Sequence, residues 1–360
     1  MKPDHVIGIM SGSSLDGLDM AMCTLEDTGG QIACNIVETI TIPYSEKWYK
    51  DLSSAPELSG FELMKLDASF GEFIGHEVKM WMLGKNWHVD YIASHGHTVF
   101  HEPALGFSTQ IGSGAHIAEQ SGINTITEFR NADVAHGGQG APFAPACDRA
   151  LFPGYDAYLN LGGIVNIFLH TEDDKWLAWD IGPCNQALNF LSRKSGHDYD
   201  KGGVLASQGA VLDAIRHDLI AMYPFHGGYP KSISNKQVQN TWIEYLDLRK
   251  EDPLDLQTST TLAIADMITL HLSPVIKRPA KILVTGGGAY NDHLMHQIRR
   301  LGLDMGSNYD IPLSQLIDHK ESLLMAYLGY LTMHDTPYGI HTLTGASCDC
   351  IGGVLHKAVR

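Results

Sequence analysis

The sequence has no CxxC pair. Its six cysteines (Cys23, Cys34, Cys147, Cys184, Cys348 and Cys350) are scattered through 360 residues, a spacing that matches neither a zinc nor a dithiol framework and reads as reduced thiols. Positive charge is also scarce. Lys and Arg total 25 against 41 Asp and Glu, a formal net charge of -16, and such a balance repels a polyphosphate backbone or an anionic membrane surface over long range. Neither nucleic acid nor membrane is therefore an expected partner. Long apolar runs are missing as well: the N-terminal MKPDHVIGIMSGSS holds an apolar stretch of about five residues before a polar glycine turn, too short for a signal peptide or an anchor. A cytoplasmic location is the expectation. No internal repeat and no low-complexity linker is visible, so any lobes must be joined by ordinary loops.

What is present suits a globular enzyme, with 44% hydrophobic and 18% charged residues and a mean hydropathy of -0.09. Single cores seldom grow beyond about 250 to 300 residues, so this length predicts two lobes and a cleft. The first 43 residues read as a meander: strand VIGIM, glycine turn SGSSLDG, strands LDMAMCTL and CNIVETITI. A glycine turn between antiparallel strands differs from the glycine loop that opens a helix in dinucleotide and P-loop folds. Residues 61–84 carry a helical apolar pattern, and YIASHG at 91–96 reads as a buried strand. YLNLGGIVNIFLH at 158–170 and WLAWDIG at 176–182 repeat the strand-and-turn pattern. Helices, the strand KILVTGGG at 281–288 and a helix near 313–334 follow, an order that a duplicated α/β lobe would give.

Three segments could carry chemistry. In Ser11–Asp19, small residues let backbone amides approach phosphate while carboxylates can hold hydrated Mg2+, although a hairpin without ligand would look the same. Asp180 sits at the end of an apolar strand, before the helical run QALNFLSR, where it would either cap that helix or act as a general base. Gly286, Gly287 and Gly288 follow a buried strand and would allow close backbone approach of a ligand. Between these lie His95 and His97, an HxH that could bind metal in a hydrolase, but spacing supplies no third or fourth ligand and no metal site is assigned. Arg130 and Asp133 offer a fork donor and an acceptor, suited to a sugar acid's carboxylate and hydroxyls or to an internal salt bridge.

The strings MSGSSLDGLD (10–19), HGHTVFH (95–101), QIGSGAHIAEQSGI (110–123), FRNADVAHGGQGAP (129–142), LNLGGIVNI (159–167), DIGP (180–183), YDKGG (199–203) and VTGGGAYN (284–291) resemble the anhydro-N-acetylmuramic acid kinases. That family belongs to the sugar kinase, heat-shock chaperone and actin superfamily. The resemblance implies an α/β, two-lobed actin-like ATPase (ribonuclease H-like) fold with an interlobe active-site cleft. Lobe I would be residues 1–127 plus 335–360 and lobe II residues 128–334. It implies ATP and Mg2+ as cofactors and a small amino sugar as substrate. Gly12, Ser13, Ser14, Leu15, Asp16, Gly17 and Asp19 would face the phosphates. Gly162, Gly163, Gly286, Gly287, Gly288 and Asn291 would complete the nucleotide site. His95, His97, Thr98, Gln110, Arg130 and Asp133 would face the sugar. Asp180 would be the general base and Glu321 would help to position the attacking water. A homodimer is what the family suggests. The chain departs from the usual family strings at Ile181 and Cys184 (DIGPCN for DTGPGN), His97, Ser113 and Glu128. These departures keep open a kinase of another sugar or anhydro-sugar, and a catalytically silent nucleotide- or glycan-binding relative.

Overall fold

A computed structural model describes residues 2–12, 15–171, 175–224, 232–276, 279–303 and 306–359. The chain packs as two compact units, one of residues 1–153 with 319–360 and the other of 154–318.

The first unit is built on a seven-stranded sheet. Strands β1 (Asp4–Ser11), β2 (Gly17–Asp27) and β3 (Ile32–Pro43) form the expected antiparallel meander. Strands β4 (Tyr91–Glu102) and β6 (Thr125–Thr127) add in parallel beside β1. Strand β5 (Phe107–Ile111) folds back on β4, and β12 (Val354–His356) closes the edge against β6. Helix Gly60–Met82 starts where Ser59 accepts a hydrogen bond from the Glu62 amide, a side-chain cap for an otherwise unpaired donor. It presses Phe70, Ile74 and Val78 onto Ile7, Ile9, Leu18 and Met20 of the sheet. Each such side chain contributes about 1.5–3 kcal/mol through burial. On Gly8, a Cβ would stand 1.9 Å from the Ser322 carbonyl oxygen, so glycine there permits the helix Ser314–Met333 to lie against β1.

The second unit repeats the plan. Strands β7 (Ala157–Leu161), β8 (Ile164–His170) and β9 (Trp176–Pro183) form the meander, and β10 (Lys281–Thr285) and β11 (Asn308–Asp310) add in parallel beside β7. Its core joins Leu159, Val165, Ile167 and Ile181 to Ile264 and Ile268 of helix Pro253–Leu272. The order β3-β2-β1-β4-β6 in one unit and β9-β8-β7-β10-β11 in the other are the same path with the same strand directions. This is the duplicated ribonuclease H-like sheet of the actin-like ATPases.

The unit boundaries differ from those expected. Residues 128–153 and 319–334 belong to the first unit. Long-range bonds tie them there: Arg130 to His95, Lys320 to Asp148 and Thr332 to the Gly352 carbonyl. None of the described helices is long and apolar enough to cross a membrane.

Candidate active site

In the first unit the β1–β2 turn carries the first glycine segment. Leu15 takes φ 58°, and its amide bonds the Gly12 carbonyl at 3.3 Å. Gly17 is fixed by packing, because a Cβ there would lie 2.7 Å from the Ile42 carbonyl oxygen. Ser13 and Ser14 lie outside the described residues. Asp19 points from β2 and accepts from Thr41 Oγ1 at 2.5 Å, while the Asp16 carbonyl accepts from the Tyr44 amide.

Beside this turn, β4 ends in the histidines. Arg130 Nε donates to His95 Nε2 at 2.9 Å, and His95 Nδ1 contacts the Gly96 carbonyl at 3.1 Å. A guanidinium can only donate, so the imidazole proton sits on Nδ1 and both ring nitrogens are engaged. Burial, reinforced by the Arg130 charge, pushes the His95 pKa down to about 3, which keeps the ring neutral. With both nitrogens committed, His95 has no lone pair left for a metal, and the HxH hydrolase alternative loses its first ligand. His97 is buried, which lowers its pKa, and its Nδ1 lies 3.3 Å from Ser11 Oγ, which in turn accepts from Tyr44 at 2.7 Å. Gln110 bridges Ser108 at 2.8 Å and Thr98 at 3.4 Å.

Arg130 also donates through Nη1 to the Gly140 carbonyl at 2.8 Å and stacks over Phe143. Asp133 does not pair with it. Its two oxygens accept from the Gly140 amide and Thr344 Oγ1, each at 2.7 Å, and brace the 136–140 loop from within. Glu321 reaches solvent. Its carboxyl is held above the ordinary range first by the protein crowded around it and then by the Asp19 carboxylate, against the pull of Arg130 and Lys320. Among the described residues no three His, Cys, Asp or Glu side chains form a metal site by themselves. A divalent cation at this turn would need further ligands, such as the water that Mg2+ ordinarily keeps. One feature fits such a hydrated ion: the Nδ1 of His319 is buried without a hydrogen-bond partner and faces Asp19.

In the second unit Asp180 does not cap the following helix. Helix Asn185–Lys194 begins at Cys184 with no side-chain cap. Instead Asp180 Oδ2 accepts from the Ile233 amide at 2.7 Å. A bulge at Ile181 shifts the β8–β9 register beside it, so that Asn166 pairs Asp180 and Val165 pairs Gly182; such bulges re-aim neighbouring side chains. Gly162 and Gly163 form the β7–β8 turn, whose carbonyls accept from the Asn185 and Cys184 amides.

The three glycines after β10 divide in role. A Cβ on Gly286 (φ 83°) would lie 2.4 Å from Asn160 Oδ1, and one on Gly288 would lie 2.7 Å from Leu161 Cβ. Both are demanded by internal packing. Gly287 is open on its Cβ side, where the nearest atom is Asn185 Nδ2 at 3.7 Å. Asn291 caps helix Asp292–Gly302 by accepting from the Leu294 amide. Asn185, Gln186, Asn189, Phe190 and Arg193, with Gly163, line a cavity of about 410 Å³ that Gln239 and Ile243 complete. Of these only Gly163 was expected as a site residue. Nothing local in the sequence signals that Gln239, more than 40 residues beyond Arg193, shares their cavity.

A protein-family model described as anhydro-N-acetylmuramic acid kinase matches residues 4–358. The anhydro-N-acetylmuramic acid kinase of Legionella pneumophila (strain Corby) is 29% identical over 368 residues, covering 98% of each chain. That of Pseudomonas savastanoi pv. phaseolicola is 31% identical over 364 residues, covering 98% of this chain and 99% of its own. Among solved structures, the activator of the 2-hydroxyisocaproyl-CoA dehydratase from Clostridium difficile aligns over 92% of this chain and 97% of its own, with 11% identity and a TM-score of 0.43.

Proposed function

We propose, since the chain belongs to the anhydro-N-acetylmuramic acid kinase family, that it phosphorylates 1,6-anhydro-N-acetylmuramic acid with ATP while opening the anhydro ring. The product is N-acetylmuramic acid 6-phosphate, an intermediate of peptidoglycan recycling. Asp180 takes a proton from water as that water attacks the anomeric carbon. The C1–O6 bond breaks, O6 forms a bond to the γ-phosphorus, and the bond from that phosphorus to the bridging oxygen of ADP breaks. Glu321 helps to place the water. Phosphoryl transfer needs mainly positioning and charge neutralisation, so the remaining residues orient rather than react.

The observation that carries the choice of substrate is Arg130. It is a part-buried cation whose described hydrogen-bond partners, His95 and the Gly140 carbonyl, are both neutral, while the Glu321 carboxyl acts on it only through its charge. A guanidinium whose hydrogen bonds go to neutral groups keeps the capacity to take an anionic ligand, and the lactyl carboxylate distinguishes muramic acid from neutral amino sugars. His97, Thr98 and Gln110 border the sugar, while Asp133 acts by holding the Gly140 loop.

The phosphates lie against Gly12–Asp19, including Ser13 and Ser14, and against Gly162 and Gly163. The nucleoside lies by Gly287, with Gly286, Gly288 and Asn291 shaping the turn. Support for this comes from the open face of Gly287 and from the amide-lined cavity that Gly163 and Asn185 border. Mg2+ would be held through Asp19 and Asp16 and would supply neutralisation of phosphate charge. The protein acts as a cytoplasmic enzyme on a small amino sugar, and a homodimer accords with the family.

The test is coupled ADP release with the anhydro-sugar in water enriched in oxygen-18. Phosphorylated product carrying the heavy oxygen at the anomeric carbon is the expected result. Phosphorylation with the anhydro ring intact would overturn the concerted reading, and absence of turnover would overturn the substrate.

A further inference from the structure

Helix Ser314–Met333 leaves helical geometry at His319, where φ is -121° and ψ 23°. The break is braced on its C-terminal side. Ser322 Oγ donates to the His319 carbonyl at 3.0 Å, and the next residue, Lys320, grips both oxygens of buried Asp148 at 2.7 and 2.9 Å. So held, His319 is only 8% exposed, yet its Nδ1 has no hydrogen-bond partner. A buried, unpaired polar atom is disfavoured and calls for a reason.

The atom faces Asp19 Oδ1 at 4.0 Å. That is too long for a direct hydrogen bond, but it is a span one intervening oxygen can bridge. Asp19 is steadied from the other strand by Thr41, and together with Asp16 it acts electrostatically on Glu321. This local negative field suits a cation that keeps most of its water.

We infer that His319 Nδ1 accepts a hydrogen bond from a water carried by the divalent cation that accompanies the nucleotide at Asp19. The assignment rests on the kinase reading above. It makes His319 a positioning residue, with its ring proton on Nε2. Orienting partners beyond the direct ligands commonly tune metal affinity by about 10- to 100-fold.

The full chain is to be titrated with Mn2+ in the presence of a non-hydrolysable ATP analogue, with free Mn2+ followed by electron paramagnetic resonance. His319→Ala is expected to weaken Mn2+ retention by about tenfold. His319→Asn, which returns an acceptor near the Nδ1 position, is expected to recover most of the loss. Binding of ADP in a chelator should be the same in all three proteins. Equal Mn2+ retention by parent and His319→Ala overturns the inference and leaves the kinase reading standing. So does a parallel loss of metal-free ADP binding, which would mark a merely structural role. A parent protein that takes up no Mn2+ with the analogue overturns both. Should His319→Ala not fold, His319→Leu, close in size and without an acceptor, replaces it in the comparison with His319→Asn.

Discussion

The two units use one sheet plan and put opposite kinds of chemistry on it. In each, the first strand pair of the second hairpin sets a proline at the mouth: Gly17 opposite Pro43, and Ile164 opposite Pro183. Just inside, each places a polar pair, Asp19 opposite Thr41 in one unit and Asn166 opposite Asp180 in the other. The carboxylate has changed strands. In the first unit it stands on the middle strand of the meander and is tied to the hydroxyl across from it. In the second it stands on the outer strand, next to the Ile181 bulge, and is bonded to a loop amide. The surroundings differ in kind too. The first carboxylate acts on Glu321 and faces His319, in the unit that also carries His95, His97 and Arg130, several of them with displaced pKa values. The second accepts from the Ile233 amide, and the cavity in its unit is lined by carboxamides, Gly163 and Arg193. A scaffold that repeats can thus divide its labour, with side-chain charge in one copy and backbone approach in the other.

If the two acids are equivalent in register but not in role, exchanging each for its amide should separate them. Asp180→Asn removes the base, and general-base removal ordinarily costs about 10²- to 10⁴-fold in rate. Steady-state kinetics should show that loss in kcat with little change in thermal stability, since the amide keeps the size and still accepts from Ile233. Asp19→Asn should instead raise the Mg2+ concentration needed for half-maximal rate. Equal falls in kcat at saturating Mg2+ would break the division of labour drawn above.

Much of this contrast is visible in the chain itself. The strand and turn order was readable because VIGIM, SGSSLDG and LNLGGIVNI are short apolar runs punctuated by glycine, a local signal. The duplication followed from the order alone. The unit edges were not readable, because residues 128–153 and 319–334 are assigned by partners such as His95 and Asp148 far away in sequence. The same reason hid the site's supports. Thr344 braces Asp133 across 211 positions, and the Tyr44–Ser11–His97 chain joins β1, β4 and the residue that follows β3. Gly286, Gly287 and Gly288 all read as points of close ligand approach, yet two of them answer to Asn160 and Leu161, which only the packed sheet brings beneath them.

That distinction among the glycines gives a second test, confined to the second unit. Gly286→Ala meets both a left-handed backbone and the Asn160 side chain, and about 2–4 kcal/mol of destabilisation is expected. Gly288→Ala meets Leu161 and, less closely, the Asn185 side chain, and should cost about 1–3 kcal/mol. Gly287→Ala faces open space and should stay within about 0.5 kcal/mol of the parent while raising the KM for ATP. Chemical denaturation and nucleotide kinetics on the three variants sort them. A Gly287→Ala protein with unchanged KM would remove the ligand from that face.

The smallest effect is expected from pH, and it belongs to the first unit. His95 has its folded pKa depressed from 6.5 to about 3, so between those values the unfolded chain binds a proton that the folded one refuses. Its contribution is fully present above pH 6.5 and is lost as pH falls toward 3, with a slope of at most about 1.4 kcal/mol per pH unit. His97 and His101, also lowered by burial, act in the same direction. The raised carboxyls of Asp148 and Glu321 act in the opposite one. Comparing the parent with His95→Gln, whose side-chain oxygen can still accept from Arg130, isolates the one ring. Denaturant midpoints measured at pH 7 and pH 5.5 should fall further in the parent than in the variant. Equal falls would mean that His95 gains its proton inside the fold, and that Arg130 then has no neutral acceptor on its Nε side.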